Sequence, residues 1–204
     1  TGEDTLSLHD ALPIFNNQNN NNNLLIPEIN TLTAIDPSYN KDKIAEYYKL
    51  SEDNSVATNI KDSNYYLRLR SVCNLIGSRK VKLSIQIKEL NNNYNYCYIS
   101  VGFCLTRHDL NKYDKNNILA IVNLYYGSTY NNIDEYVDYK DGYSKPVVGS
   151  IVECMIDCDS KTVSFTIDNK LWKELEVDIK EEEITQISGY FSMYSEGESI
   201  KILS

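Results

Sequence analysis

The sequence predicts an all-β chain folded as a two-sheet antiparallel β-sandwich. Three features of the residues lead there. From Lys80 to Lys88, Val81, Leu83, Ile85 and Ile87 alternate with Lys80, Lys82, Ser84, Gln86 and Lys88. A helix would scatter those lysines around its whole circumference, whereas a strand places them all on one face. From Gly149 to Lys170, two more alternating runs flank a polar turn: Val152, Cys154 and Ile156 share one face, and so do Val163, Phe165 and Ile167. Cys158-Asp159-Ser160-Lys161 forms the turn between them, and Asp168-Asn169 begins the next. Short strands then recur along the chain with no strong helical period, which is the pattern of a sandwich or barrel.

The elements follow in order. Residues 1–15 differ in character from the rest and look like translated adaptor sequence; 16–23 is a polyasparagine run broken by Gln18. Such a stretch buries nothing, so 1–23 is expected to be a disordered or artefactual tail outside the fold. Residues 24–42, with Pro27 and Pro37, are expected as a linker, and 43–204 as the sandwich. Lys43 to Lys49 is short for a helix. Strands are expected at about 46–51, 54–58, 64–70, 80–89, 96–105, 118–124, 151–157, 162–167, 185–193 and 199–203. The expected core runs through Leu83, Ile85, Ile99, Val101, Phe103, Val163, Phe165, Ile167 and Phe191. Trp172, the single tryptophan, is read as a plug at a strand edge, with an exposed partner anchor as the alternative. Two connections are long and polar, 107–117 and 125–146, and loops of that length in a compact domain usually carry function.

Composition narrows the function classes. The 204 residues suit one domain plus a tail. Net charge is −9 and no cluster of Lys and Arg stands out, so neither nucleic acid nor an anionic membrane is expected as a partner. Seventeen tyrosines against one tryptophan fit an all-β chain from AT-rich coding sequence; they also supply rigid contact area for a binding surface. The five cysteines, Cys73, Cys97, Cys104, Cys154 and Cys158, are odd in number and form no CxxC. Cys97 and Cys154 fall on apolar strand faces and read as small core residues. With no N-x-S/T sequon in the chain, the cytoplasm or nucleus is the expected compartment.

No catalytic constellation emerges. Asp157-Cys158-Asp159 has the outline of a phosphotransfer motif, but Lys161 stands where Thr or Val is needed and the setting is a hairpin. Turn carboxylates are the better reading, and Asp157, Asp159 and Ser160 are too few oxygens for calcium. Cys104 and His108 lack a third orienting residue. His9 and His108 are the only histidines, which leaves no His-based metal site. Gly127 and Gly142 stand alone and read as turn glycines rather than a phosphate loop. No cofactor and no metal are expected.

Several segments, in their shared order, resemble the SPRY domain. The Gly149–Lys170 hairpin is similar to the family's signature hairpin. Leu50-Ser51-Glu52-Asp53-Asn54 resembles its opening hairpin, Ile76-Gly77-Ser78-Arg79-Lys80 with the run after it an early strand, and Tyr98-Ile99-Ser100-Val101-Gly102-Phe103 a central one. Ile187–Tyr194 and Ser199–Leu203 resemble the closing pair. The likeness covers roughly 43–204. The chain departs from the family pattern at Val81-Lys82-Leu83, where an aromatic pair is usual, and at Ser150, Glu153 and Asp168-Asn169-Lys170.

The resemblance implies a concanavalin-like, jelly-roll type of sandwich. It implies a non-catalytic module that binds a partner protein or short peptide through loops at one end, as in the substrate-recognition part of a ubiquitin ligase or another complex. By position, the implied partner-binding residues are Arg107, Tyr125, Tyr126, Tyr130 and Tyr194. The alternatives are an intracellular glycan-binding sandwich, which would stack aromatics on sugar and often use calcium, and a structural subunit of a larger assembly.

Overall fold

The computed structural model describes residues 29–38, 41–62, 68–71, 79–91, 98–107, 117–134 and 143–204. The elements are β1 (Ile29–Leu32), α1 (Lys41–Tyr47), β2 (Tyr48–Leu50), β3 (Val56–Asn59), β4 (Arg68–Arg70), β5 (Lys80–Glu89), β6 (Ile99–Leu105), β7 (Ile118–Asn123), β8 (Ser128–Asn131), β9 (Ile151–Asp157), β10 (Thr162–Ile167), β11 (Lys170–Glu176), β12 (Ile187–Met193) and β13 (Ser199–Leu203). A 3-10 turn over Glu181–Gln186 precedes β12. The strands form two facing sheets, an all-β sandwich. The larger runs β11-β10-β9-β5-β13-β3-β2, and the smaller β4-β12-β6-β7-β8.

Strand β5 organises the larger sheet. Its apolar side chains Val81, Leu83, Ile85 and Ile87 are fully buried against the other sheet. Its lysines lie outside: Lys80 pairs with Asp157 at 2.8 Å, and Lys82 with Glu153. Facing them across the core are Ile99, Val101, Phe103 and Leu105 of β6 with Phe191 of β12, all in one apolar cluster with Phe165 and Val163. The expected core is observed, except that Ile167 is only partly buried at its rim. Trp172 sits on β11, the edge strand of the larger sheet, with its ring 6.5 Å from Phe165 and 5.0 Å from Tyr143. The plug reading of Trp172 holds.

The structure departs from the sequence expectations in four places. The stretch 24–42, expected as a linker, contributes β1, which pairs in parallel with Lys80–Leu83. That is the half of β5 that β13, paired to Ser84–Glu89, leaves open. Leu32 and Ile35 are buried there, and apolar burial draws the segment onto the sheet. The pairing is the one parallel exception among the described strand pairs. Lys41–Tyr47 does form a helix, of about two turns, ahead of β2. The connection 125–146 contains a strand, β8, and a strand also follows the Asp168-Asn169 turn as β11. Both turn residues have positive φ, 49° and 63°, the geometry of a tight hairpin.

Asp157 is a turn carboxylate, accepting the backbone N–H groups of Asp159 and Ser160. Cys104, Cys154 and Cys158 are buried, and burial raises the thiol pKa of Cys154 and Cys158. Residues 1–23, His108, Gly142, Cys73 and Cys97 lie outside the described residues. Among those described, no helix is long and apolar enough to cross a membrane.

Candidate functional site: a tyrosine-lined end and the cavity beside it

Antiparallel pairing decides which side chains meet. Ile99 pairs with Met193 and Leu105 with Ile187, so Tyr98 and Tyr194 emerge at one end of the smaller sheet. The turn joining β7 to β8 reaches the same end, because Ser100 pairs with Asn123 and Asn123 with Ser128. Asn123 builds that turn locally. Its Oδ1 accepts the backbone N–H of Tyr125 at 3.0 Å and of Tyr126 at 3.1 Å, while its own carbonyl accepts from Gly127. An Asn in this role mimics a backbone turn with its side chain. Gly127 completes the turn at φ 68°, and a Cβ there would lie 2.6 Å from the Tyr143 ring. Tyr143 in turn donates its hydroxyl to the Leu124 carbonyl at 2.7 Å.

The rings converge. Tyr98 and Tyr125 have centroids 4.3 Å apart, Tyr125 and Tyr126 4.5 Å, and Tyr98 and Tyr194 5.8 Å. The Lys145 ammonium stands 4.2 Å over the Tyr125 ring, a cation–π contact. Beneath them the Glu198 carboxylate is wholly buried and accepts three backbone N–H groups: Tyr98 at 2.6 Å, Tyr194 at 2.9 Å and Ser195 at 3.0 Å. Burial pushes the pKa of Glu198 up, with the backbone donors opposing that shift.

A cavity of about 300 Å³ adjoins this cluster on the outer face of the smaller sheet, with Tyr126 on its rim. Its floor follows from residue size. The middle strands β12 and β6 turn Ser192, Ser100 and Gly102 outward, whereas Tyr190 and Tyr130 rise around them. Small residues flanked by large ones make a depression. Burial pushes the Tyr190 phenol up to about 12, so it stays a hydrogen-bond donor at neutral pH.

Tyr125, Tyr126 and Tyr194 therefore come together, and Tyr130 lines the neighbouring cavity. Arg107 does not join them. It follows the other end of β6, where the backbone N–H of Thr106 bonds the Gln186 carbonyl, about 20 Å away along the strand. There Arg107 pairs with Glu183 and donates to Asn117 Oδ1 at 2.7 Å. The expectation of one loop end carrying Arg107 with the tyrosines is corrected on this point. Antiparallel succession is the reason: loops after consecutive strands lie at opposite ends. Tyr98, Lys145 and Glu198 stand at the tyrosine-lined end and Arg68 lines the cavity; none of them was singled out from sequence. The only signal for Tyr98 was its place one residue ahead of a strand whose partner ends at Met193, one residue before Tyr194.

No family model matches the chain, and no curated protein matches it in sequence. Solved structures do resemble it. The SPRY domain of human HERC1 superposes with a TM-score of 0.58 at 18% identity, covering 84% of this chain and 98% of that one. The PSpry domain of TRIM65 gives 0.53 at 9% identity, covering 86% and 94%. Stonustoxin gives 0.61 at 13% identity; the match covers 85% of this chain but 27% of the toxin chain. At these identities the likeness is one of fold, and the fold of this chain is that of a SPRY domain.

Proposed function

We propose that this SPRY-fold sandwich is a non-catalytic recognition module that binds a partner protein or short peptide at its tyrosine-lined end. The observation that carries the reading is the convergence of Tyr98, Tyr125, Tyr126 and Tyr194 beside a cavity of about 300 Å³, on turns fixed by Asn123 and Glu198. Aromatic side chains lose little entropy on binding and dominate interface hot spots. Turns already braced by internal hydrogen bonds add little ordering cost, so a peptide meets a preformed surface. Within a larger complex, a ubiquitin ligase included, the module would supply recognition and leave chemistry to other domains. The buried thiols Cys154 and Cys158, which form no disulfide, fit a reducing compartment, the cytoplasm or nucleus.

The test is selection of a random displayed-peptide library on the whole 204-residue chain. Tyr126, exposed at 44%, can be truncated without opening the core. Tyr126→Ala is expected to weaken selected peptides about 30-fold. Lys82→Ala, on the outer face of the other sheet, is expected to leave them unchanged. Loss with Lys82→Ala and none with Tyr126→Ala would move the site to that sheet face.

A further inference from the structure

The strand registers of the smaller sheet set out the cavity floor. Across its five strands, Arg68, Ser192, Ser100, Asn123 and Ser128 stand in one row. The next row is Arg70, Tyr190, Gly102, Ile121 and Tyr130. Ser192 and Ser100 are directly opposed on the two middle strands, where paired Cβ atoms lie about 4.5–5.5 Å apart. One small polar group can therefore bond both hydroxyls. Each keeps capacity for it. Ser100 is 6% exposed, and its oxygen accepts a long bond from Asn123 Nδ2 at 3.3 Å, which leaves its own proton to give. Ser192, 1% exposed, bonds the Tyr190 phenol and retains a lone pair to accept with.

The walls are of another kind. Tyr126, Tyr130, Tyr190 and Ile121 stand around that polar floor. Arg68, the one charged side chain among the described residues of the lining, is engaged within the chain: it bonds the Tyr190 phenol and has a further partner. A ligand therefore meets hydroxyls below, aromatic and apolar surface at the sides, and no spare charge. An ionised group would lose its water here without gaining a counter-charge.

We propose, resting on the recognition reading above, that this cavity receives a tyrosine side chain of the bound peptide, its ring between the aromatic walls and its phenol on Ser100 and Ser192. Ser100 donates to the phenol oxygen, and Ser192 accepts the phenol proton. Tyrosine fits because its body is apolar and its tip both donates and accepts. A phenylalanine would fill the walls but leave the Ser100 hydroxyl cut off from water without a partner. A serine or a carboxamide would meet the hydroxyls but forfeit the contacts of the ring walls. About 300 Å³ is the small end of ligand pockets, the scale of one large side chain. The tyrosine end then grips the neighbouring residues of the same peptide, and Tyr126, common to the cavity rim and the ring cluster, joins the two subsites.

The experiment uses the whole chain and the peptides that the library selection returns. The expected result is a fixed tyrosine at one position of the selected motif. Changing that residue to phenylalanine in a synthetic peptide should weaken binding about 10- to 100-fold. Ser100→Ala should erase the difference between the tyrosine and phenylalanine peptides, with the residual affinity still sensitive to Tyr126→Ala. A motif without tyrosine, or equal affinity of tyrosine and phenylalanine peptides for the wild-type chain, overturns the phenol pocket. The wild-type comparison decides even where Ser100→Ala fails to fold. A phosphotyrosine peptide that binds more tightly than its tyrosine counterpart overturns it in favour of an anion. If no peptide is selected, or if selected peptides ignore Tyr126→Ala, the recognition surface itself fails and the pocket with it; tyrosine-free peptides that do lose affinity with Tyr126→Ala remove only the phenol pocket.

Discussion

The Glu198 carboxylate accepts the backbone N–H of Tyr194 at 2.9 Å, and so ties the turn after β12 to the strand that follows it. Its other oxygen takes the N–H of Tyr98 at 2.6 Å, which joins the two tyrosine-bearing segments through one buried side chain. Buried N–H groups left without an acceptor cost about 1–3 kcal/mol each. Glu198→Ala is therefore expected to destabilise the chain by about 3 kcal/mol or more, measured by urea unfolding, and to weaken peptide binding at the tyrosine end. An unchanged unfolding midpoint would show that the clasp carries no stability.

Glu198 also sets a sign for pH dependence. Burial raises its folded pKa above the unfolded value, so its contribution favours the fold below the ordinary Glu range and is lost as pH rises through the folded value. Glu198→Gln removes the titration; it also replaces one accepting oxygen with an amide NH2, a cost that is the same at every pH, so the pH dependence of the difference is what reports the ionisation. The melting temperature of the wild type relative to Glu198→Gln should rise as pH falls from 7 to 4. A gap that shrinks over that interval would contradict the burial of an ionisable group here.

Other carboxylates act in the opposite direction. Asp36, Glu153, Asp157 and Glu183 are all lowered below their ordinary values in the folded chain, the first by the Ser38 and Arg70 hydrogen bonds against a burial effect. Depressed values contribute stability above the unfolded pKa, lost as pH falls through the folded one. They outnumber Glu198, so the wild-type chain should melt lower at pH 3 than at pH 6. Equal melting temperatures would mean that these ion pairs contribute nothing to stability.

Phe165 is fully buried and pairs in register with Cys154. Phe165→Ala is expected to cost about 3–5 kcal/mol, a large share of a domain's stability. A normal melting point would mean that the β9–β10 hairpin is out of register by one residue.

Gly127 meets two constraints at once, a positive φ and the Tyr143 ring where a Cβ would sit. Gly127→Ala should cost at least about 1 kcal/mol through the backbone alone. It should also weaken peptide binding by displacing Tyr125 and Tyr126. Stability lost with binding intact would separate this turn from the site.

What the sequence disclosed, and what it hid, divides along physical lines. Strands with one buried face, such as β5 and β10, write their period of two into the residues. Strand β8, Ser-Thr-Tyr-Asn, is buried throughout and has no apolar alternation to read. Strand β11 loses its alternation at the register shift between Phe165 and Thr166 of its partner. Strand β1 exists because of a parallel partner some fifty residues on, Lys80–Leu83. At the site, the tyrosine-rich turn after β7 was visible as composition. Its union with Tyr98 and Tyr194, and the row that ends in Arg68, depend on strand order and register. The exclusion of Arg107 needed only the rule that successive antiparallel strands point opposite ways. Nothing in the polar stretch Ser195-Glu196-Gly197-Glu198 marks Glu198 for burial, and only the fold shows it buried.

Recognition at the tyrosine-lined end is tested by an amide chemical-shift map of the isotopically labelled chain titrated with a selected peptide. Perturbations are expected to centre on Tyr98, Tyr125, Tyr126, Ser128 and Tyr194, with Arg107 and Lys82 unmoved. Perturbations centred on Arg107 and Lys180, or on the outer face of β5, with the tyrosine end silent, would contradict it.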